Sequence, residues 1–180
     1  MSDTVVETGR LLIRKWRDTD GGPFFAMNAD PEVMRHIRPV PSRAESDAGI
    51  GRQRAFQARH GFCFWALERK DDGAFLGFCG FRPGVPETPI ADDIEVGWRL
   101  GFDHWGKGYA REAASACLDW AFATLDVPRV VSITVAANTR SWGLMERIGM
   151  VRRPDLDFLH PTLFEDDPLR PHITYVKERP

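Results

Sequence analysis

The stretch Ile94-Glu95-Val96-Gly97-Trp98-Arg99-Leu100, followed by His104-Trp105-Gly106-Lys107-Gly108-Tyr109-Ala110-Arg111-Glu112, decides how this chain is read. Its first part is a short run of β-branched and aromatic residues, which predicts a strand. A glycine-bearing turn then leads into a helix from Lys107 to about Leu125. There Ala110, Ala113, Ala114, Cys117, Leu118, Ala121 and Leu125 recur at three- and four-residue spacing as a core-facing stripe. Strand, glycine turn and helix N-terminus in that order leave backbone N–H groups free at the positive end of a helix dipole. Such an arrangement binds phosphate or pyrophosphate without a charged side chain.

Two common phosphate loops fail against this stretch. Gly101 to Lys107 has the glycine and lysine spacing of a nucleotide-hydrolase loop, but Gly108 stands where Ser or Thr must hold Mg²⁺. The dinucleotide pattern fails as well, because Arg111 occupies the position of its third small residue.

Bulk composition narrows the class. A chain of 180 residues with 43% hydrophobic and 28% charged residues predicts one globular domain over 1–180, with its core over about 8–178. Net charge is 24 − 26 = −2, which argues against a nucleic-acid or membrane-surface partner. There is no apolar run of membrane-span length and no signal-peptide pattern. Cys63, Cys79 and Cys117 are widely spaced in apolar surroundings and read as reduced core cysteines of a cytoplasmic protein.

The remaining elements follow from local pattern. Arg10 to Trp16 reads as a first strand. Asp18-Thr19-Asp20 supplies candidate caps for a helix through Phe24, Phe25 and Met27. Asp30-Pro31-Glu32 opens a short helix closed by Pro39 and Pro41, and Ser42 to His60 is a polar helix. Phe62–Leu67 and Phe75–Phe81 form a hairpin across Asp71-Asp72-Gly73. Val130–Val135 is a strand, Asn138 caps a helix ended by Gly149, Met150-Val151 begins a further strand, and Ile173–Val176 is the last.

Trp105-Gly106-Lys107-Gly108-Tyr109-Ala110-Arg111-Glu112 resembles the acetyl-CoA signature of the GNAT superfamily of N-acetyltransferases, Q/R-x-x-G-x-G/A, with Trp105 at the Q/R position, Gly108 at the glycine and Ala110 at the last small residue. The Trp form is the one associated with the RimJ/RimL branch, the ribosomal-protein N-terminal acetyltransferases. Asn138-Thr139-Arg140-Ser141-Trp142-Gly143-Leu144-Met145-Glu146-Arg147-Ile148-Gly149-Met150 resembles the second hallmark, N-x-x-S-x-x-x-x-E-K-x-G-F, at family-like spacing. The resemblance covers nearly the whole chain. It implies an α/β (α+β) fold: a central mixed, mostly antiparallel, splayed sheet flanked by helices.

The resemblance also implies roles. Trp98, Arg99 and Leu100 would hold the pantetheine through their backbone. Trp105, Gly106, Lys107, Gly108, Tyr109, Ala110 and Arg111 would hold the pyrophosphate. Asn138 and Ser141 would touch the pantetheine arm or the leaving thiolate. Each has a plainer reading beside it: a strand-to-helix turn for the glycines, a helix cap for Asn138, a first-turn polar residue for Ser141. Many family members place a proton-donating Tyr where this chain has Met145, so Ser141 becomes the substitute. Glu95 is the candidate base, against the alternative of a surface carboxylate beside Asp92 and Asp93.

The acceptor side is less determined. An α-amino group, with pKa ~7.7–8.0, needs less help from a base than a lysine side chain at ~10.4. A protein N-terminus is therefore favoured with acetyl-CoA as co-substrate. A small-molecule amine (aminoglycoside, polyamine or amino-acid-like) and a non-catalytic acyl-CoA sensor stand as alternatives. The Pro- and His-rich segment 155–172 offers His160, Arg170 and His172 as substrate contacts, or a proline-fixed surface loop. Its acids, with Glu165-Asp166-Asp167, would suit a cationic acceptor or simply a solvated loop. The histidines His36, His60 and His104 are scattered in sequence, so no metal is expected. The chain is read as a monomer or homodimer.

Overall fold

The computed structural model describes residues 3–37 and 42–180. Strands β1 (Thr4–Glu7), β2 (Leu11–Arg14), β3 (Phe64–Arg69), β4 (Phe75–Pro83), β5 (Ile94–Leu100), β6 (Arg129–Thr134), β7 (Val151–Arg152), β8 (Phe158–Leu159) and β9 (Pro171–Glu178) alternate with helices α1 (Gly21–Ala29), α2 (Pro31–Met34), α3 (Arg43–His60), α4 (Tyr109–Thr124) and α5 (Thr139–Arg147). The sheet runs β1-β2-β3-β4-β5-β6-β9-β7, with β8 paired to β9. Neighbours pair antiparallel except β5 and β6, which are parallel. This is the GNAT-type mixed sheet that the two motifs imply.

The parallel pair opens almost at once. β5 and β6 meet only at Ile94–Val130 and Glu95–Val131. Beyond that point Gly97–Leu100 pair only with β4, and Ser132–Thr134 only with β9. Two strand edges therefore face each other across a gap, each with backbone groups its own sheet partner does not use.

Side-chain alternation gives β5 two distinct faces. Trp65 and Phe81 pack against Trp120 of α4 at ring distances of 4.8 and 5.9 Å. The register carries this face onto Val96 and Trp98 through the Phe81–Val96 and Cys79–Trp98 pairs. On the other face Phe78 meets Phe64 at 5.2 Å and Phe24 of α1 at 6.3 Å. Glu95, Gly97 and Arg99 belong to this second face. The cysteines are buried and free, and burial pushes the Cys63 thiol up to about 12, so it stays protonated.

Several boundaries differ from the sequence reading. Thr4–Glu7 forms an edge strand that the short polar–apolar segment did not signal. The expected Asp18–Asp20 caps are drawn elsewhere: Asp20 accepts from the Arg17 N–H at 2.7 Å and from both terminal nitrogens of Arg14, at 2.9 and 2.8 Å. A buried arginine competes for that carboxylate more strongly than an orphan helix N–H. Helix α4 starts at Tyr109, leaving Lys107 in the turn, because Gly106 and Gly108 hold φ of 72° and 82°. The segment after Arg152 is no open loop: β8 pairs with the start of β9, and the His160 N–H donates to the Arg170 carbonyl at 2.8 Å. Pro39 and Pro41 lie outside the described residues.

Candidate active site

Where β5 and β6 part, the gap widens into a cavity of about 730 Å³. Its walls include Gly97, Trp98 and Arg99 of β5, Ser132–Val135 along β6 and just beyond, and Asn138 and Ser141 at the start of α5. Arg52 and Phe56 of α3 and His160 and His172 around β8–β9 close the other side.

Three cross-strand pairs of β4 and β5 lie along it: Arg82 opposite Glu95, Gly80 opposite Gly97, and Phe78 opposite Arg99. The glycines are required. A Cβ on Gly80 would lie 2.1 Å from the Cys63 carbonyl oxygen, and one on Gly97 would lie 3.0 Å from the Phe64 ring. The Phe64 ring therefore rests on bare backbone between the two outer pairs.

Glu95 is 5% exposed, which overturns the surface-carboxylate alternative. Its Oε2 accepts from Arg82 Nε at 2.8 Å. Burial pushes the carboxyl above its ordinary value, and Arg82 opposes that shift. The result is a stronger proton acceptor than a solvated carboxylate, suited to a general base.

Asn138 caps α5 as its sequence position suggested: its Oδ1 accepts from the Ser141 N–H at 3.4 Å, and its Nδ2 donates to Thr134 Oγ1 at 3.1 Å. The cap carries the end of β6 into the helix. The Ser141 side chain has no hydrogen-bond partner among the described residues, so its hydroxyl is available to the cavity. Met145, at the position where many family members hold Tyr, is fully buried. Tyr175, distant in sequence, donates its hydroxyl to Glu146 at 3.2 Å.

The glycine turn forms a second part of the site, outside the cavity lining. Gly108 caps α4 with no side-chain hydrogen bond. Among the described residues, the successive N–H groups of Gly106 through Arg111 donate to no protein acceptor. They stand at the N-terminus of a helix of 16 residues, the arrangement that suits a phosphate. A Cβ on Gly106 would meet nothing within 4 Å, so the turn is open. Trp105 donates its indole N–H to the Leu100 carbonyl at 2.8 Å, and Arg140 lies over its ring at 4.9 Å. Lys107 Nζ donates to the Asp103 carbonyl at 2.8 Å. Tyr109 is buried under Arg10, while Arg111 is exposed. The donors this turn leaves free are backbone N–H groups, and the Trp105 side chain braces the strand-to-helix turn.

Two acceptor-side residues reach the cavity and one does not. His160 and His172 line it, their rings 5.1 Å apart and His172 stacked on Phe158 at 5.8 Å. Burial lowers the His172 ring below its ordinary value, favouring the neutral form. Arg170 is not part of the lining, and its Nε is buried without an acceptor among the described residues. Arg82, Arg52 and His36 line the cavity without having been singled out in the sequence; only pairing with Glu95 across two strands reveals Arg82. The acids of the 155–172 segment are partly neutralised, Asp155 by Arg153 at 2.6 Å and Asp157 by Arg152. No cluster of metal-ligating groups occurs among the described residues.

Residues 10–151 match the family model described as an acetyltransferase (GNAT) domain. The chain belongs to the GNAT family of acetyltransferases. An uncharacterized protein of Bacillus subtilis (strain 168), YkkB, is 30% identical over 148 residues, spanning 82% of this chain and 85% of the relative. The crystal structure of an acetyltransferase from Agrobacterium tumefaciens str. C58 superposes with a TM-score of 0.78 at 27% identity, covering 99% of this chain and 96% of the other. RimL, the ribosomal L7/L12 alpha-N-protein acetyltransferase solved in complex with coenzyme A, shares the fold with a TM-score of 0.78 at 13% identity, over 97% of each chain. This chain is thus an acetyltransferase with the GNAT sheet. Among the described residues no helix is long and apolar enough to cross a membrane.

Proposed function

We propose that this GNAT acetyltransferase moves an acetyl group from acetyl-CoA to a primary amine in the cavity beside Glu95. The observation that carries the reading is the opening between β5 and β6, with uncapped N–H groups from Gly106 to Arg111 at one end and a buried carboxylate at the other. The donor supplies an activated thioester. The open edges of β5 and β6 offer backbone partners to the amides of a pantetheine arm. Asn138 and Ser141 face the same gap.

In the transfer, the amine nitrogen forms a bond to the acetyl carbonyl carbon while the carbon–sulfur bond breaks. The Glu95 carboxylate takes the proton the nitrogen loses. Ser141, directly or through a water, gives a proton to the departing sulfur and is reprotonated from solvent as Glu95 releases the proton it took, so that amide and CoA thiol are the net products. Holding donor and acceptor in one cavity supplies much of the rate gain.

The favoured acceptor is an α-amine, because its ~7.7–8.0 pKa leaves roughly a tenth of it neutral near pH 7, against under about a thousandth of a lysine side chain at ~10.4. A protein N-terminus fits the RimJ/RimL-type Trp105 motif and the shared fold with RimL. An amino-acid-like small molecule is the second reading, favoured by the enclosure that His160 and His172 give the acceptor side. The cationic lining of Arg52, Arg82 and Arg99 speaks against polyamines and aminoglycosides. A single catalytic domain, monomeric or homodimeric and without a metal, belongs to the same proposal. So does a cytoplasmic setting, supported by three free buried cysteines.

Release of free CoA thiol from acetyl-CoA, measured against small amines and N-terminal peptides, tests the reading. Turnover on an α-amine supports it. Tight CoA binding with no turnover on any amine would point instead to an acyl-CoA sensor.

A further inference from the structure

We propose that the acceptor amine carries a carboxylate, and that Arg99 is the residue that binds it. This rests on the acetyl-transfer reading above and names the acceptor class of the same cavity.

Arg14 provides an internal comparison. Its buried guanidinium meets two carboxylates, Asp20 at 2.8 Å and Glu68 at 2.7 Å. Arg99 meets none. Its Nη1 donates to the neutral Asn28 Oδ1 at 2.6 Å, its Nε is buried with no acceptor among the described residues, and the Phe78 ring lies 5.2 Å from its Cζ. Desolvation lowers its pKa to about 10, which still leaves it charged at neutral pH. A desolvated cation facing a cavity without a counter-ion calls for an anionic ligand. The partner for its Nε–Nη2 edge is shown elsewhere in this fold: Arg129 presents that edge to the two oxygens of Asp93 at 2.8 and 2.9 Å.

The rest of the lining agrees. Arg52 and Arg82 join Arg99, and the one carboxylate among the described lining residues, Glu95, is already paired with Arg82. The donor's phosphates do not answer for Arg99. Their cradle lies at the N-terminus of α4, which packs on the opposite face of the sheet from the Arg99–Asn28 contact with α1. Arg99 and Glu95 share one face of β5 four residues apart, roughly 13 Å along the strand. Both residues line the same cavity, so an amine at Glu95 and a carboxylate at Arg99 fit one small acceptor or one acidic N-terminus.

Full-length protein with acetyl-CoA is assayed on two matched pairs: alanine against alaninamide, and Glu-Ala-amide against Gln-Ala-amide. The first pair probes a free amino acid, the second a peptide N-terminus. In the wild type the carboxylate member of at least one pair should be favoured by about 10- to 100-fold in kcat/KM taken per neutral amine, because the carboxylate of alanine makes its amine more basic than that of alaninamide. Arg99→Gln should collapse that ratio towards one, chiefly through KM, while Arg99→Lys keeps part of it. Equal use of both members of both pairs, or an unchanged ratio in Arg99→Gln, overturns the proposal. Binding is scored separately on CoA-loaded protein, where the pyrophosphate turn is occupied, as the rise in Tm with added glutarate. A rise in the wild type that Arg99→Gln loses supports the proposal even if no amine is acetylated, in which case only the transferase reading fails. No rise, or equal rises in both proteins, overturns it.

Discussion

Arg82 and Glu95 stand directly opposite each other on β4 and β5, and the Arg82 Nε donates to Glu95 Oε2 at 2.8 Å. Glu95 is also the last β5 residue paired to β6. The carboxylate is thus fixed at the mouth of the split, where the proposed donor and amine would meet. Burial raises its proton affinity and Arg82 limits the rise.

That balance sets a pH dependence. A base must be ionised, so activity falls as pH drops through the raised Glu95 pKa. Arg82→Gln removes the opposing cation and should move the acidic limb of the kcat/KM profile to higher pH. The stability sign is opposite. A carboxyl with a raised folded pKa favours the fold while protonated and loses that contribution as pH rises through the folded value. The Tm deficit of Arg82→Gln should therefore grow as pH rises above the range in which Glu95 is protonated. A profile and deficit independent of pH would remove Arg82 from this role.

Gly108 carries a backbone constraint. At φ of 82° a side chain costs about 1–2 kcal/mol, and a Cβ there would lie 3.3 Å from Arg10 Nη2. Gly108→Val should weaken CoA binding about tenfold or more by turning the Gly106–Arg111 N–H groups out of line. Calorimetric titration with CoA checks this; an unchanged Kd would mean the turn is not the phosphate site.

Asn138 combines a cap with a place on the cavity. Asn138→Ala should cost about 1 kcal/mol, or ~2–4 °C in Tm for a chain of this size. Asn138→Ser should restore stability through its own capping oxygen. If KM for acetyl-CoA recovers together with Tm, the cap was the whole contribution; if KM stays raised, the amide itself contacts the donor.

Asp20 should be structural. Asp20→Ala leaves the Arg14 guanidinium, only 2% exposed, with Glu68 as its one remaining carboxylate, and a broken buried pair costs about 3–5 kcal/mol. Thermal melts of Asp20→Ala and of the Arg14→Met/Asp20→Ala double variant separate the causes. The double variant should recover part of the loss, because no buried charge is stranded.

The order of elements was legible because local signals agreed. Val130–Val135 is β-branched at every position but Ser132, Asn138 and Gly149 bracket α5, and glycines force the turn before α4. β1 escaped because an edge strand of four residues draws its definition from pairing with β2. The glycine turn and the Asn138 cap of the proposed cofactor half were legible for a related reason: glycines and caps act locally. The acceptor half was not. Arg82 reaches Glu95 across 13 positions, Arg99 reaches Asn28 across 71, and β8 folds back onto β9, so His36, His160 and His172 converge although far apart in the chain. Arg170 parts from its neighbours for the same reason: Leu169 and His172 line the cavity, and Arg170 does not.

The most direct test of the central claim is the turnover of Glu95→Gln, with the Kd for acetyl-CoA measured on the same preparation. Gln keeps the shape and can still meet Arg82, but it cannot take a proton. The account predicts a fall in kcat/KM of about 10²- to 10⁴-fold with the Kd little changed. Turnover equal to the wild type would contradict it and return Glu95 to a partner of Arg82 alone.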